Sequence, residues 1–294
     1  MARSSAMKWW LNGELVDHDQ VNCSVNTYSL HYGICVFEGM RAYDIAGKPV
    51  VFRLEEHIER FFRSVRLLGS EITGYDQTQI ENAVHQVIGA NNVTHLYIRP
   101  MYYLGNGIMG IHTKDPDQNL AILVWDWETD HSAPKYQKGI HVQISRHIRH
   151  KEYAQAKASG NYLASVAASN TLRGTNFDEA ILLDEDGYLC EATAQNLFLV
   201  KDGALHTPLI KACLKGVTRN AIIEIARDSG IAVHERDILP AELLCADEAF
   251  LTSTASEVLP IRAVDSQNLA PLHDDSITRN LFRKFHSLVH AGPR

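Results

Sequence analysis

The chain has 294 residues, of which 45% are hydrophobic and 21% are charged, and its formal net charge at pH 7 is −7. These values are typical of a globular protein with one large or two modest domains, and the negative charge argues against nucleic acid or an anionic membrane as a partner. Five scattered cysteines without a CxxC (Cys23, Cys35, Cys190, Cys213 and Cys245) favour a reducing compartment. Because no apolar run has the length of a signal-peptide core or a membrane span, we expect a cytoplasmic protein.

The first 127 residues predict a small α/β domain. Asn12-Gly13 in "KWWLNGELV" and Gly47 in "RAYDIAGKPVVFRL" lie between apolar runs and predict two hairpins. Helical periodicity follows in "RLEEHIERFFRSVRLLGS", which ends at Gly69, and in "DQTQIENAVHQVIGANN", for which Asp76 is the expected N-cap. The segments "HLYIRPMYYL" and "LAILVWDW" then predict strands.

A polar segment at 128–138, which contains Pro134, predicts a linker to a larger domain over 139–294. Beyond it, the stretch "DEAILLDEDGYLCEATAQNLFLVKDGALHTP" predicts a meander of three strands joined at Asp186-Gly187 and Asp202-Gly203. Helical patterns recur in "TRNAIIEIARDSG" and "DSITRNLFRKFHSLVH". The sequence therefore predicts an α/β (α+β) protein of two domains.

Two patterns that often mark cofactor or metal sites lack their required context. Gly105, Gly107 and Gly110 in "GNGIMG" have the spacing GxGxxG, but a dinucleotide site needs a helix to open there, and turn-forming residues follow instead. The three histidines of "HVQISRHIRH" have no carboxylate or cysteine at ligand spacing. We therefore expect a glycine-rich loop between strands and no metal.

Lys157 is the first candidate for covalent chemistry. In "AQAKASGNYLAS" it is surrounded by small side chains, which an exposed lysine does not need but an amine that must condense with a carbonyl does. Pyridoxal 5′-phosphate (PLP) is the commonest aldehyde that lysines bind in this way. A cofactor-free aldolase is the alternative, but such enzymes commonly use repeated βα units, which the predicted meander does not resemble.

Three further features offer the remaining parts of a PLP site. Glu191 lies in an apolar strand, where a carboxylate is costly unless paired, and it could hold a protonated pyridine nitrogen. Val217 and Thr218 follow Gly216 at a helix start, where anions bind, and Thr252–Ser256 is a second hydroxyl-rich turn. Arg60 is a candidate counter-ion for the phosphate. Each feature also has an ordinary explanation: an exposed strand residue, an empty helix end or turn, or a solvated helix charge.

The order of six segments resembles that of the fold-type IV, class IV PLP-dependent aminotransferases, and most closely the branched-chain amino acid aminotransferases. The segments are "HYGICVFEGMRAY", "YIRP", "KASGNYL", "EATAQNLFLV", "LKGVTRNAI" and "TSTASEVLP", and the resemblance covers nearly the whole chain. It implies a small α/β N-terminal domain and a larger β-barrel-like C-terminal domain with peripheral helices. The implied reaction is transamination between branched-chain L-amino acids (Leu, Ile, Val) and 2-oxoglutarate.

The resemblance also implies roles for single residues. Lys157 would be the catalytic lysine that binds PLP and acts as general acid and base, and Arg99 would bind the distal carboxylate of glutamate. The implied cofactor-binding residues are Arg60, Lys157, Tyr162, Glu191, Val217, Thr218 and Thr254. The implied substrate-binding residues are Tyr32, Phe37, Gly39, Tyr97, Arg99, Ile111, Trp127 and Ala255. In this family the positions of Tyr32 and Ile111 reach across from a second subunit, which implies a homodimer or a larger homo-oligomer such as a hexamer, with the active site at the subunit interface.

Several positions depart from the family pattern. The segment "HKEYAQAK" lacks a proline that many relatives have, Ser159 replaces a glycine, Gln195 stands where some relatives have Glu, and Lys215 where some have proline. These changes concern loop geometry and substrate preference. The alternatives within the family are a D-amino acid or (R)-amine transaminase and an aminodeoxychorismate lyase-like enzyme, and a more distant one is a PLP-binding protein without turnover.

Overall fold

The computed structural model describes residues 7–106, 110–112 and 116–292, which form two compact units. The first unit contains the described residues as far as Glu128, together with Ala156–Gly160 and the residues from His290. The second contains Thr129–Gln155 and Asn161–Val289. Lys157 therefore belongs to the first unit, although the chain on either side of its segment belongs to the second.

Within the described residues, the first unit is built on a seven-stranded antiparallel sheet. Its strands are β1 (Lys8–Leu11), β2 (Glu14–Asp17), β3 (Cys35–Phe37), β4 (Met40–Ile45), β5 (Lys48–Val51), β6 (Leu96–Leu104) and β7 (Gln118–Asp126). The order is β2-β1-β7-β6-β4-β5, and β3 pairs with β6. Its helices are α1 (Tyr28–Tyr32), α2 (Leu54–Leu67) and α3 (Gln77–Gly89). Both predicted hairpins and both predicted helices are confirmed, and Asp76 caps α3 by accepting a hydrogen bond of 2.8 Å from the backbone N–H of Gln79.

Alternation along the strands separates a core face of this sheet from a face that carries candidate site residues. Leu96 and Ile98 of β6 are fully buried in one cluster with Phe61 of α2. Because successive strand residues point to opposite faces, Tyr97 and Arg99 lie on the other side of the sheet. Polar and aromatic side chains there do not interrupt the apolar core.

The second unit is a closed sheet with helices around it. Its strands are β8 (Ile140–Ile148), β9 (Glu179–Leu183), β10 (Leu189–Ala192), β11 (Asn196–Lys201), β12 (Ala204–Pro208), β13 (Val233–Arg236), β14 (Glu248–Ser253), β15 (Glu257–Val264) and β16 (Gln267–Asn268). The order is β10-β9-β8-β15-β14-β11-β12-β13, and an additional β10–β11 pairing closes the first six strands into a barrel. The helices are α4 (Pro134–Lys138), α5 (Leu163–Thr171), α6 (Val217–Asp228), α7 (Pro240–Leu244) and α8 (Ile277–His290).

The predicted meander and its turns at Asp186-Gly187 and Asp202-Gly203 are confirmed, but the predicted count of three strands is wrong, because the structure has four, β9 to β12. The second predicted strand is broken at 193–195, where the backbone N–H of Ala192 donates to the carbonyl of Gln195 over 2.8 Å. Thr193 and Gln195 turn their side chains onto Glu179 of β9. No glycine or proline marks this bend, so the apolar pattern runs through it.

The segment predicted as a linker contains the helix α4, which has proline at its first turn and a buried Tyr136. The domain limits 1–127, 128–138 and 139–294 stay a prediction. Among the described residues, no helix combines the length and hydrophobicity that crossing a membrane requires.

Candidate active site

Lys157 lies on a short segment that is fastened to β3 and α2 of the first unit. Its carbonyl accepts a 3.0 Å hydrogen bond from the backbone N–H of Phe37, and its own N–H donates to Ser64 Oγ over 3.0 Å. Ala156 and Ala158 are buried in the core of this unit. The amine Nζ lies 4.9 Å from the centroid of the Phe37 ring. The small neighbours of Lys157 therefore anchor its backbone, while the amine lies against an aromatic ring.

Arg60 is buried and paired, so the explanation as a solvated helix charge does not hold. Its Nε and Nη2 donate to Oε1 and Oε2 of Glu38, both over 2.7 Å, and His57 Nδ1 lies 2.8 Å from Glu38 Oε2. Burial by itself would raise the pKa of Glu38, but the charge and hydrogen bonds of Arg60, with those of His57, hold it well below its ordinary value. Burial lowers the pKa of His57, which favours its neutral form. The charges of this cluster are therefore those of the Glu38 carboxylate and the Arg60 guanidinium. Sequence reasoning missed Glu38, although it lies beside Gly39 in the quoted "FEG".

An aromatic wall with buried donors lies on the non-core face of the first sheet. The Arg99 guanidinium carbon lies 4.9 Å from the Phe37 ring centroid and 5.4 Å from that of Tyr97, and Arg99 Nη2 donates to the Tyr97 hydroxyl over 3.3 Å. The Trp127 ring lies 5.4 Å from that of Tyr97. Within the described part of the chain, Arg99 Nε and Trp127 Nε1 are buried and have no hydrogen-bond partner. Buried donors of this kind require an acceptor, and a carboxylate is a strong one.

Gly39 allows Tyr97 to take its place in this wall. A Cβ atom on Gly39 would lie 2.1 Å from the Tyr97 hydroxyl oxygen, which is far closer than any van der Waals contact. The Tyr97 hydroxyl, which accepts the hydrogen bond from Arg99, therefore occupies the space that a side chain at residue 39 would take. The predicted residues Phe37, Gly39, Tyr97, Arg99 and Trp127 thus form one connected surface.

Tyr32 and Ile111 are both next to Tyr28. The ring centroids of Tyr32 and Tyr28 are 4.5 Å apart, and the Tyr28 hydroxyl donates to the Ile111 carbonyl over 3.0 Å. Ile111 is 71% exposed. Gly107, the middle glycine of "GNGIMG", lies outside the described residues.

In the second unit, Glu191 is a buried carboxylate with a full set of partners. Its Oε1 lies 2.7 Å from Arg149 Nε, and Oε2 accepts hydrogen bonds from Asn196 Nδ2 (2.9 Å) and from the backbone N–H of Leu214 (3.1 Å). Burial opposes the charge of Arg149, but Glu191 raises the pKa of that guanidinium, and Tyr162 adds to the effect. Glu191 is therefore not an exposed strand residue. Sequence reasoning missed Arg149, although a buried carboxylate required some cation.

The start of α6 packs against the same amide that holds Glu191. Gly216 is the N-cap, and a Cβ on it would lie 2.0 Å from Asn196 Oδ1. Val217 and Thr218 contribute first-turn N–H groups, which have no acceptor within the helix and favour an anion. Asn196 thus joins the carboxylate of Glu191 to a helix start whose N–H groups favour an anion.

The second hydroxyl-rich turn, 254–256, connects β14 to β15 and carries Thr254 and Ala255. Ser256 Oγ is hydrogen-bonded to Gln195 Oε1, and Gln195 Nε2 donates to Glu179 Oε2 over 3.3 Å. Gln195, one of the departures from the family pattern, therefore braces this turn. The second unit contains the candidates Tyr162, Glu191, Val217, Thr218, Thr254 and Ala255, while Lys157 and Arg60 are held in the first unit.

The residues of each unit suit PLP chemically. The first unit offers an amine and a fixed guanidinium, and the second offers a paired carboxylate and an anion-binding helix end beside a residue that must be glycine.

Comparison with known proteins identifies the class. The family model described as "Amino-transferase class IV" matches residues 35–264. The chain belongs to the class IV aminotransferases, and the fold type expected from the resemblance is confirmed. The branched-chain-amino-acid aminotransferase of Pseudomonas aeruginosa is 36% identical over 283 residues, which cover 95% of this chain and 92% of that protein.

Solved structures agree with this relationship. The branched-chain aminotransferase from the thermophilic archaeon Thermoproteus uzoniensis, in its structure with norvaline, has a TM-score of 0.90 at 34% identity, over 98% of this chain and 96% of that one. The branched-chain amino acid aminotransferase of Thermobaculum terrenum in its PLP form has a TM-score of 0.89 at 26% identity, over 98% of this chain and 95% of that one. Each likeness extends over nearly the whole chain, as the six quoted segments lead one to expect.

Proposed function

We propose that this chain is a branched-chain amino acid aminotransferase. It transfers the amino group of Leu, Ile or Val to 2-oxoglutarate and releases a branched-chain 2-oxo acid and L-glutamate. The observation that carries this proposal is the wall of the first unit, where aromatic surface adjoins the half-buried Arg99, whose buried Nε has no partner among the described residues. Such a wall suits both an aliphatic side chain and a carboxylate, as an enzyme that alternates between leucine and glutamate requires.

The cofactor is pyridoxal 5′-phosphate, which when bound supplies the electron sink that lets a proton leave the substrate Cα. Lys157 would hold it covalently, and the Lys157 amine would move that proton as general base and acid. Glu191 would hold the ring nitrogen, and Arg149 supplies the counter-charge that allows this carboxylate to be buried. Tyr162 would hold the ring hydroxyl. The phosphate would be held by Arg60, Val217, Thr218 and Thr254.

The two substrates share one set of residues. Phe37, Tyr97 and Trp127 contact the aliphatic side chain, and Arg99 pairs with the distal carboxylate of glutamate or 2-oxoglutarate. The backbone at Ala255 receives the α-carboxylate, which both substrates have. Gly39 keeps Tyr97 in place for both.

We also propose that the enzyme is at least a homodimer, in which Tyr32 and Ile111 reach the active site of the other subunit. The support is the exposure of Ile111 (71%), together with that of Leu30 (66%) and Val25 (82%), because large exposed apolar side chains favour an interface. Five free cysteines support a cytoplasmic location. Light scattering at low micromolar concentration would measure the assembly, and a monomeric mass would refute it.

The visible absorption spectrum tests the reaction. The purified protein should show a yellow cofactor band that bleaches when L-leucine is added and returns with 2-oxoglutarate. A band that ignores L-leucine but bleaches with D-alanine or an (R)-amine would move the assignment to that branch of the family. No band after addition of PLP would reject the cofactor itself.

Substitution of the lysine tests its role separately. Lys157→Ala should lower the rate of leucine transamination by at least ~10⁴-fold, because both covalent attachment and proton transfer are lost. Normal turnover in this variant would reject the assignment.

A further inference from the structure

We propose that Glu38 is a positioning residue for cofactor binding, because it fixes the orientation of the guanidinium with which Arg60 binds the phosphate. This inference rests on the proposed function of Arg60. Glu38 touches neither substrate nor cofactor in this role and acts through the arginine.

The geometry of the pair is that of an orienting clamp. Glu38 accepts Arg60 Nε and Nη2 with its two oxygens, both over 2.7 Å, and its side chain is fully buried. The backbone N–H of Glu38 donates to the Pro100 carbonyl over 2.9 Å, and the N–H of Gly39 donates to Glu38 Oε2 over 3.2 Å. Two parallel hydrogen bonds to a planar guanidinium fix its plane, which a single contact does not do.

The pair connects two elements that are distant in sequence. Glu38 lies between β3 and β4, whereas Arg60 lies in the middle of α2. Because Glu38 is itself held by backbone groups, the long arginine side chain loses its freedom before any ligand arrives. Pre-organisation of this kind strengthens binding without adding a contact to the ligand.

Stability alone is a weak reason for such a pair. A buried ion pair is often no more stabilising than apolar residues of similar volume, since both charges must leave water. Ile58 and Phe61, on the same helix as Arg60, belong to the apolar core of this unit, so apolar packing is available to this part of the chain. A role in orientation explains why charge is kept there.

Neutralisation and orientation of Arg60 predict opposite changes in phosphate binding when Glu38 is removed. If Glu38 only neutralised Arg60, its removal would increase the attraction of Arg60 for a phosphate. If Glu38 orients Arg60, its removal weakens phosphate binding. The direction of the change therefore separates the two roles.

Lys157 keeps its own attachments when Glu38 is altered. Its backbone is held by Phe37 and by Ser64, whose hydroxyl donates to the Arg60 carbonyl over 2.8 Å. The phosphate-free analogue pyridoxal, which still has the aldehyde that Lys157 binds, should therefore bind almost unchanged. PLP and pyridoxal together distinguish loss of phosphate binding from general damage.

The experiment measures the dissociation constants of PLP and pyridoxal by spectral titration after the resident cofactor has been removed from the full-length protein. We expect Glu38→Gln to weaken PLP ~10- to 100-fold, as loss of hydrogen bonds to a charged group does, and to change pyridoxal less than ~2-fold. The matched control is Glu59→Gln, which removes the same charge from the exposed neighbour of Arg60 on α2 and should change neither. Unchanged or tighter PLP binding, or an equal loss for pyridoxal, would overturn the proposal.

A double-variant cycle keeps the proposal testable if Glu38→Gln folds poorly. Glu38→Gln/Arg60→Met removes both charges, so no unpaired charge stays buried. Since Glu38 acts only through Arg60, the double variant should bind PLP as weakly as Arg60→Met and no more weakly. A further loss would overturn the inference while leaving the proposed function intact. Wild-type PLP affinity in Arg60→Met would overturn both the phosphate role of Arg60 and this inference.

Discussion

Each unit contains a buried glutamate–arginine pair, and the two pairs have opposite roles in the proposed site. In both, the closest nitrogen and oxygen are 2.7 Å apart and neither side chain is more than 8% exposed. In the first unit, the arginine of Glu38–Arg60 is the group proposed to meet the ligand. In the second unit, the glutamate of Arg149–Glu191 has that role.

The partners of the two carboxylates differ in a way that fits these roles. Both oxygens of Glu38 accept hydrogen bonds from Arg60, and His57 is hydrogen-bonded to one of them as well. The carboxylate of Glu38 therefore serves to hold the guanidinium. Glu191 meets Arg149 mainly with Oε1, while Oε2 accepts two neutral N–H groups, from Asn196 and from the Leu214 backbone. The complete set of hydrogen-bond partners is therefore needed to tell which residue of a buried ion pair holds the other in place.

The largest expected effect tests whether the pair of the second unit is needed for the fold. Arg149→Met leaves Glu191 buried without a counter-charge and should lower the free energy of unfolding by ~3–5 kcal/mol, measured by urea denaturation. The control is Arg146→Met, at an exposed position of β8, which should change it by less than ~0.5 kcal/mol. A loss below ~1 kcal/mol in Arg149→Met would show that Glu191 finds another partner.

The Glu38–Arg60 pair of the first unit should lower the pH at which Glu38 becomes protonated. The pKa of Glu38 lies below the ordinary value of about 4.5, so its stabilising contribution is complete above pH 4.5 and is lost as pH falls below it. In carbon-13 NMR, the Glu38 carboxyl signal, assigned by its absence in Glu38→Gln, should show no protonation down to about pH 3.5. Protonation near pH 4.5 would mean that Arg60 is not paired with Glu38 in solution.

A third prediction concerns Arg99, whose guanidinium lies over the rings of Phe37 and Tyr97. Arg99→Ala should lower kcat/KM for 2-oxoglutarate by ~10- to 100-fold and for leucine by less than ~3-fold, because only the former has a distal carboxylate. Arg66→Ala, at an exposed position of α2, is the control. Equal losses for both substrates would reject the role of Arg99.

Gly39→Ala adds a single methyl group and tests the position of Tyr97, the neighbour of Arg99. The new Cβ would displace the Tyr97 hydroxyl, and with it the contact to Arg99, so KM should rise ~10-fold for both substrates. Gly89→Ala is the matched control, since a Cβ there would meet nothing within 4 Å. An unchanged KM would show that Tyr97 is free to move.

The smallest expected effect concerns the turn of the second unit. Gln195→Ala removes the hydrogen bonds to Ser256 and Glu179 and should raise KM for leucine ~3- to 5-fold through the loosened Ala255 backbone. The exposed Gln267→Ala should leave KM unchanged. A loss as large as that of Gly39→Ala would mean that the turn at 254–256 matters as much for substrate binding as the position of the Tyr97 hydroxyl.

Local patterns predicted most of the regular elements of the first unit. Both hairpins appear where Asn12-Gly13 and Gly47 provide turns, and α3 begins after Asp76, because turn and cap chemistry act over a few residues. The bend at 193–195 was missed because side-chain hydrogen bonds to Glu179 produce it, and that residue is 14 positions from Thr193.

The sequence by itself determined the family, the two-domain pattern it implies, and the candidates Lys157, Glu191 and Arg60, because motif order and residue type are properties of the linear chain. Only the tertiary structure decided which charges are paired. Glu38 meets Arg60 across 22 positions, and Arg149 meets Glu191 across a still longer stretch of chain. Burial in a folded core removes a charge from water, and a partner of opposite charge offsets that free-energy cost. No local pattern in the chain shows which distant residue will be the partner.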